Sequence, residues 1–148
     1  IITLRMETRE MNELGGIRNH APQFASYFLI IILASVALPL TSGFVGEFLL
    51  LNGVFQYNPI MSGIAGLTII LGAVYMLRAY QKISLGTANS STMKFADLNT
   101  TEKCVMIPLI VMIFWIGIYP DSLLNIAGPS IEALQKTILH SAEVTMIK

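Results

Sequence analysis

Charge is scarce in this sequence. Of 148 residues, 9 are Lys or Arg and 9 are Asp or Glu, 12% together, about half of the ~25% usual in soluble domains. The charges are also segregated, because between Arg18 and Arg78 the only Asp, Glu, Lys or Arg is Glu47. A water-soluble fold could not cover its surface this way. One apolar run could be a buried core helix, but not three together, so most of the chain is read as facing lipid. The formal net charge is zero, which gives no case for nucleic acid or an acidic partner. The one cysteine, Cys104, excludes an internal disulfide and is too little for a cysteine metal site. Residues 1–18 mix polar and apolar side chains without a cleavable leader pattern. The first residue is not Met, and the chain is expected to be part of a longer protein, entered in a loop.

Against these absences stand three apolar stretches separated by polar ones. Residues 1–22 read as a polar loop: Arg5, Glu7, Arg9, Glu10 and Glu13 are interspersed, Gly15–Gly16 breaks any helix, and Pro22 can open the next. The first apolar stretch, 23–57, is punctuated by Pro39-Leu40-Thr41-Ser42-Gly43. After Asn58–Pro59 come an apolar helix over 59–82 and a polar loop over 83–102. A further helix spans 103–120, opened by Asn99-Thr100-Thr101-Glu102 at capping-box spacing. The remainder, 121–148, is weakly amphipathic, with Ile131, Leu134, Ile138 and Ala142 on one face. The run 60–77 alone would extend roughly 27 Å at ~1.5 Å per residue, enough for a bilayer core with its flanks. Tyr57, Trp115 and Tyr119 would mark one membrane face, and Tyr75 and Tyr80 the other.

The stretch 23–57 is either two short spans or one broken span. With one, Arg5, Arg9 and Arg18 share a side with Arg78, Lys82, Lys94 and Lys103; with two, they fall on opposite sides. Short inside loops collect Lys and Arg, which favours one broken span and puts both polar loops on the inside face. The sequence therefore predicts an all-α integral membrane chain of about three transmembrane helices. The first is discontinuous (23–38 / 43–57), and an amphipathic segment follows the last.

A helix broken at membrane depth exposes backbone groups that lipid cannot satisfy, so it survives only under protein or around water. Pro39 removes a donor and disfavours helix at Leu38, Gly43 tolerates unusual dihedrals, and Thr41 and Ser42 offer hydroxyls that can cap the second half-helix. Glu47 follows within about a turn and a half of that half-helix, where the positive end of its dipole favours a carboxylate. Counting back from Tyr57 at ~1.5 Å per residue puts Glu47 roughly 15 Å deep, near the midplane. It is then either a structural carboxylate paired with a cation on a neighbouring helix, or a proton-carrying site. Ionisable groups at this depth are costly and usually functional. No cation lies within 23–57, so any partner comes from elsewhere.

Other candidates carry less. Arg78 reads as a snorkelling anchor at a helix end. His20 and His140 stand in polar surroundings. Ser62, Gly63, Gly66 and Gly72 are expected to let a neighbouring helix approach closely, and Pro108 to bend the start of its helix. There is no phosphate-binding glycine loop, no nucleophile–base set and no ligand cluster for flavin, haem or iron–sulfur.

The string Leu38-Pro39-Leu40-Thr41-Ser42-Gly43-Phe44-Val45-Gly46-Glu47-Phe48 resembles the antiporter-like membrane subunits of respiratory complex I. So do Met11-Asn12-Glu13-Leu14-Gly15-Gly16-Ile17 and Ala21-Pro22. The resemblance implies a fold of fourteen transmembrane helices, of which this chain would hold the last three, the first of them discontinuous. It implies proton pumping through a chain of intramembrane Lys, Glu and His, driven by electron transfer from NADH to quinone in other subunits. NADH, flavin, iron–sulfur clusters and quinone would belong to those subunits, leaving no cofactor here. The expected partners are other membrane subunits, the bilayer and protons, in a bacterial inner membrane. By motif, Glu47 corresponds to the terminal acidic member of the proton chain. Related subunits generally have Lys there, so Glu is similar to the M-type branch. Two alternatives are a subunit of a multisubunit Na⁺/H⁺ antiporter or membrane-bound hydrogenase, and a structural scaffold with no proton role.

Overall fold

The computed structural model describes residues 1–8, 10–11, 14–88 and 92–146, without the side chains of 139–146. Arg9, Asn12, Glu13 and the His140 side chain lie outside these. Among the described residues there is no strand. In chain order the helices are α1 (Ile2–Met6), α2 (Ile17–His20), α3 (Pro22–Ser35), α4 (Ser42–Tyr57), α5 (Pro59–Tyr80), α6 (Thr100–Ile118) and α7 (Asp121–Met146). A π-helical turn, Gln81–Leu85, prolongs α5, and a 3-10 turn, Thr92–Lys94, lies before α6.

Local chemistry sets the helix starts. Pro22 is the first helical residue of α3 and Pro59 of α5, where a missing amide costs nothing. Asn58 caps α5, its Oδ1 accepting from the Ile60 and Met61 amides at 2.9 and 3.3 Å. The box predicted at α6 is present: Asn99 Oδ1 accepts from Thr100 N at 2.7 Å, and Glu102 Oε2 accepts from Asn99 N at 2.8 Å. Two helices are long and apolar enough to cross a membrane, Pro59–Leu85 with a mean hydropathy of 2.1 and Thr100–Ile118 with 1.8; Pro22–Ser35 is a shorter apolar helix. Along α5, Ile60, Ile64, Leu67, Ile70, Leu71 and Val74 are exposed, a surface for lipid or protein and not for water.

The first polar segment carries two short helices where the sequence suggested only loop. It packs with the second around a core of Leu14, Ile17, Ala21, Phe24, Ile83, Phe95 and Leu98. Both segments therefore gather at one end of α3 and α5, the arrangement a single crossing by 23–57 requires. Arg5 fastens them together: its guanidinium pairs with Glu102 at 2.6 Å, donates to the Ala96 carbonyl and sits 5.2 Å above the Phe95 ring. Gly15 and Gly16 do more than break a helix. A Cβ on Gly15 would collide with the Thr87 carbonyl oxygen, and Gly16 has φ 66°.

One expectation is corrected. Tyr80, read as a membrane-face aromatic, is buried, its ring 5.9 Å from Phe28. A Cβ on Gly63, Gly66 or Gly72 would meet nothing within 4 Å among the described residues, so no described helix of this chain packs against them. Ser62 beside them does serve close packing, its hydroxyl donating to the Leu51 carbonyl of α4 at 3.0 Å.

Candidate functional site at the helix break

The break falls between Ser35 and Ser42. It is closed by two linked turns. In the first, Ala37 is left-handed at φ 55°, the Leu38 amide reaches back to the Leu33 carbonyl (3.2 Å) and the Ala37 amide to Ala34 (3.3 Å), so carbonyls orphaned at the end of α3 regain donors. In the second, Leu38-Pro39-Leu40-Thr41, Pro39 takes the second position and Leu40 the third at φ 77°, with the Thr41 amide donating to Leu38 O at 3.1 Å. This is type II geometry, which normally asks for Gly at the third position. Leu and Ala in left-handed positions each cost on the order of 1 kcal/mol, a strain the surrounding packing must overcome.

Glycine supplies that packing. A Cβ on Gly43 would stand 2.6 Å from the Ala34 carbonyl oxygen, so α4 starts in contact with the end of α3. A Cβ on Gly117 of α6 would stand 2.6 Å from the Thr41 carbonyl carbon and closer still to the Leu40 carbonyl. The third long helix thus covers the corner, backbone against backbone. Thr41 is buried at 1% exposure, but its hydroxyl does not cap α4; it turns back to donate to Leu38 O at 2.6 Å. Ser42 is the first residue of α4, which has no side-chain cap bond. The capping expected of Thr41 and Ser42 is thus corrected: the hydroxyl quiets the corner's own carbonyl.

Glu47 lies five residues into α4 and ten before its end at Tyr57, roughly 15 Å at ~1.5 Å per residue. Because α5 runs back from Pro59, Glu47 is level with about Ile69. Glu47 helps to line a cavity of about 280 Å³ between α3, α4 and α5, whose polar wall is Ser35, Glu47, Thr68 and Tyr75 and whose apolar wall includes Leu50 and Leu51. Its Oε2 is buried with no hydrogen-bond partner, and among the described residues no cation is within ion-pair distance. A buried carboxylate oxygen left unpaired is expensive. Chemically, such a group can accept a proton, bind water or receive a cation from outside the chain. Arg78 is exposed in the last turn of α5, and His20 is exposed at the end of α2.

Sequence reading missed Asp97. From the second polar segment its carboxylate accepts from the Gln23 amide at 3.1 Å, the Phe24 amide at 2.9 Å and its own neighbour Leu98 at 2.8 Å. It is an N-terminal cap for α3 delivered from 74 residues away along the chain. Burial pushes this carboxyl up, but the three amides, helped by Lys103, outweigh it and hold the group below the usual carboxylate range. Nothing in residues 83–102 marks Asp97 over Glu102, the other acid there, for that duty.

A family model described as NADH:quinone oxidoreductase/Mrp antiporter, TM, matches residues 1–74, which include the break and Glu47. NADH-quinone oxidoreductase subunit M of Rickettsia prowazekii is 44% identical over 131 residues, 88% of this chain and 27% of that protein. Subunit M of Rhodobacter capsulatus is 39% identical, covering 90% and 26%. NADH-ubiquinone oxidoreductase chain 4 of Marchantia polymorpha is 39% identical, covering 88% and 26%. A chain of respiratory complex I from Thermus thermophilus with bound NADH superposes with a TM-score of 0.83 at 32% identity, over 91% of this chain and 28% of that one. The chain thus spans about a quarter of the length of these relatives. A model matching half of the sequence, on the residues that build the break, makes this chain a member of the NADH:quinone oxidoreductase/Mrp antiporter membrane family.

Proposed function

We infer that the chain is part of a proton-translocating membrane-arm subunit of an NADH:quinone oxidoreductase, in which Glu47 carries the proton. One observation carries the reading: just after a helix break, Glu47 lines a cavity while one oxygen of its carboxyl group is buried without a hydrogen-bond partner among the described residues. The carboxylate takes up a proton from the cavity and becomes neutral. It gives the proton up when water or a cation from another helix reaches the cavity. Each cycle moves one proton and leaves Glu47 as it began. The relatives named above are oxidoreductase subunits, which favours this role over a free-standing antiporter.

NADH oxidation and quinone reduction are placed in other subunits of the complex, with their flavin and iron–sulfur clusters. The mechanism proposed for Glu47 uses its own carboxyl group and water. The setting is a bacterial inner membrane, with other membrane subunits as neighbours.

Glu47→Gln in the complete complex keeps the shape of the side chain and removes its proton. Assembly and NADH oxidation should persist while protons moved per electron fall; Glu47→Asp, still titratable, should keep part of the transport. Normal stoichiometry in assembled Glu47→Gln rejects the reading, and loss of assembly in both variants makes Glu47 a structural residue.

A further inference from the structure

Two hollows open on α5. The first is the Glu47 cavity, walled in part by Thr68 and Tyr75. The second, about 480 Å³, lies at the charged end and is walled by Arg78, Gln81, Lys82, Leu85 and Gly86. Between them Thr68, Tyr75 and Lys82 recur every seven residues. A straight helix drifts only ~20° per seven residues, so Thr68 and Tyr75 lie on one side of α5, and Lys82, in the wider π-helical turn, follows within roughly a quarter turn of them. Ile70 and Val74, turned from Tyr75 by roughly 140° and 100° around the helix, are exposed and apolar. Thr68 to Lys82 spans roughly 21 Å at ~1.5 Å per residue, the distance from the midplane to the membrane edge.

Geometry makes Tyr75 the join. Side chains lean toward the start of their helix, so the phenol of Tyr75 leans from the charged end into the cavity it helps to wall. The Thr68 hydroxyl donates to Ala65 O at 2.6 Å, which leaves its lone pairs for a donor in the cavity. Among the described residues no acid is within ion-pair distance of Arg78 or Lys82, so both cations are free to hold water at the outer mouth.

We propose that the Thr68–Tyr75–Lys82 face of α5 is a hydrated track along which protons move between Glu47 and the charged end of the bundle, with the Tyr75 hydroxyl as its midpoint. The proposal rests on Glu47 carrying a proton, as inferred above. At Tyr75 the hydroxyl oxygen accepts a proton from water on one side while its own proton leaves to water on the other, with no net change in the residue. Nothing is oxidised or reduced.

The test uses the complete complex with Cys104→Ala. Single cysteines are placed at Thr68 and Tyr75 on the track and at Ile70 and Val74 off it, then treated with a membrane-impermeant maleimide, and labelling of this subunit is read by mass spectrometry. Only the thiolate reacts, and it does not form in hydrocarbon, so the track positions should label at least about tenfold faster than the other two. Tyr75→Phe, nearly identical in shape, should assemble, oxidise NADH and transport protons several-fold less well. Equal labelling at the four positions overturns the track, as does normal transport by Tyr75→Phe. If Glu47→Gln stops transport and Tyr75→Phe does not, the role of Glu47 stands and the track falls. If Glu47→Gln transports normally, both are refuted.

Discussion

Gly117→Ala is the most direct test of how the break is held together. The new methyl carbon would stand 2.6 Å from the Thr41 carbonyl carbon, where carbon atoms settle at ~3.5 Å or more. The atoms it meets belong to the backbone of Leu40 and Thr41, which cannot swing aside as a side chain would. Either α6 withdraws by about 1 Å or the corner moves, and overpacking of this kind costs about 1–3 kcal/mol. Gly117→Val adds two further carbons and should cost more. The assay is the thermal dissociation of the purified complex, followed by the yield of intact membrane arm on native gels, with Glu47-dependent proton transport measured in parallel. Gly117→Ala should assemble in reduced amount, melt earlier and transport less, with Gly117→Val worse on all three counts. If both variants assemble and melt like the parent, α6 does not cover the break, and the account of why the strained corner persists is wrong.

Two further expectations follow from the same geometry. Leu40→Gly removes on the order of 1 kcal/mol of left-handed strain and adds a comparable entropy to the unfolded chain; it should leave thermal dissociation nearly unchanged, and combined with Gly117→Ala it should restore part of the lost stability, whereas a clear destabilisation by Leu40→Gly alone would show that the Leu40 side chain itself is needed. Asp97→Asn keeps an acceptor at the start of α3 but not the charge, and Asp97→Ala removes both, so alanine should cost ~1 kcal/mol, with asparagine milder. Because the Asp97 carboxyl is held below its usual range, its contribution is complete above an unfolded value of about 3.9 and fades only as pH falls through the lower folded value. The gap between parent and Asp97→Asn should therefore be constant from about pH 7 to pH 5, and a gap that closes within that window in thermal dissociation would contradict the capping role.

The parts of this structure visible in the sequence are those written by neighbours in the chain. Leu38-Pro39-Leu40-Thr41 spells its own corner, because proline fixes one dihedral and forbids helix before it. Asn99 to Glu102 spells its own cap in the same way. Glu47 is conspicuous because the one Asp, Glu, Lys or Arg in the 59 residues from 19 to 77 needs a reason. What escaped depends on segments far apart along the chain. Gly117 looks like any glycine in an apolar helix, and only the arrival of Leu40 and Thr41 gives it a duty, while Gly63, Gly66 and Gly72 look better suited and meet nothing. Asp97 is one acid in a polar stretch until the first turn of α3 is placed beside it. Phe95 and Leu98 interrupt that stretch without periodicity, so their burial with Ile17 and Phe24 could not be read from spacing. Tyr80 failed for the opposite reason. Its position at the end of an apolar run fits a membrane face, and the decisive fact is the Phe28 ring on another helix.

The bonds from Asp97 to Gln23 and Phe24 have a mechanical consequence. They grip α3 at one tip, and Ser35, at the other, forms part of the wall around Glu47. An α-helix is stiff along its axis, so the rod between them, roughly 18 Å at ~1.5 Å per residue, works as a lever. A push that shifts Asp97 while those bonds hold is carried along the helix to the cavity wall, and one that snaps them is left with only the packing of Phe24 against Phe95 and Leu98.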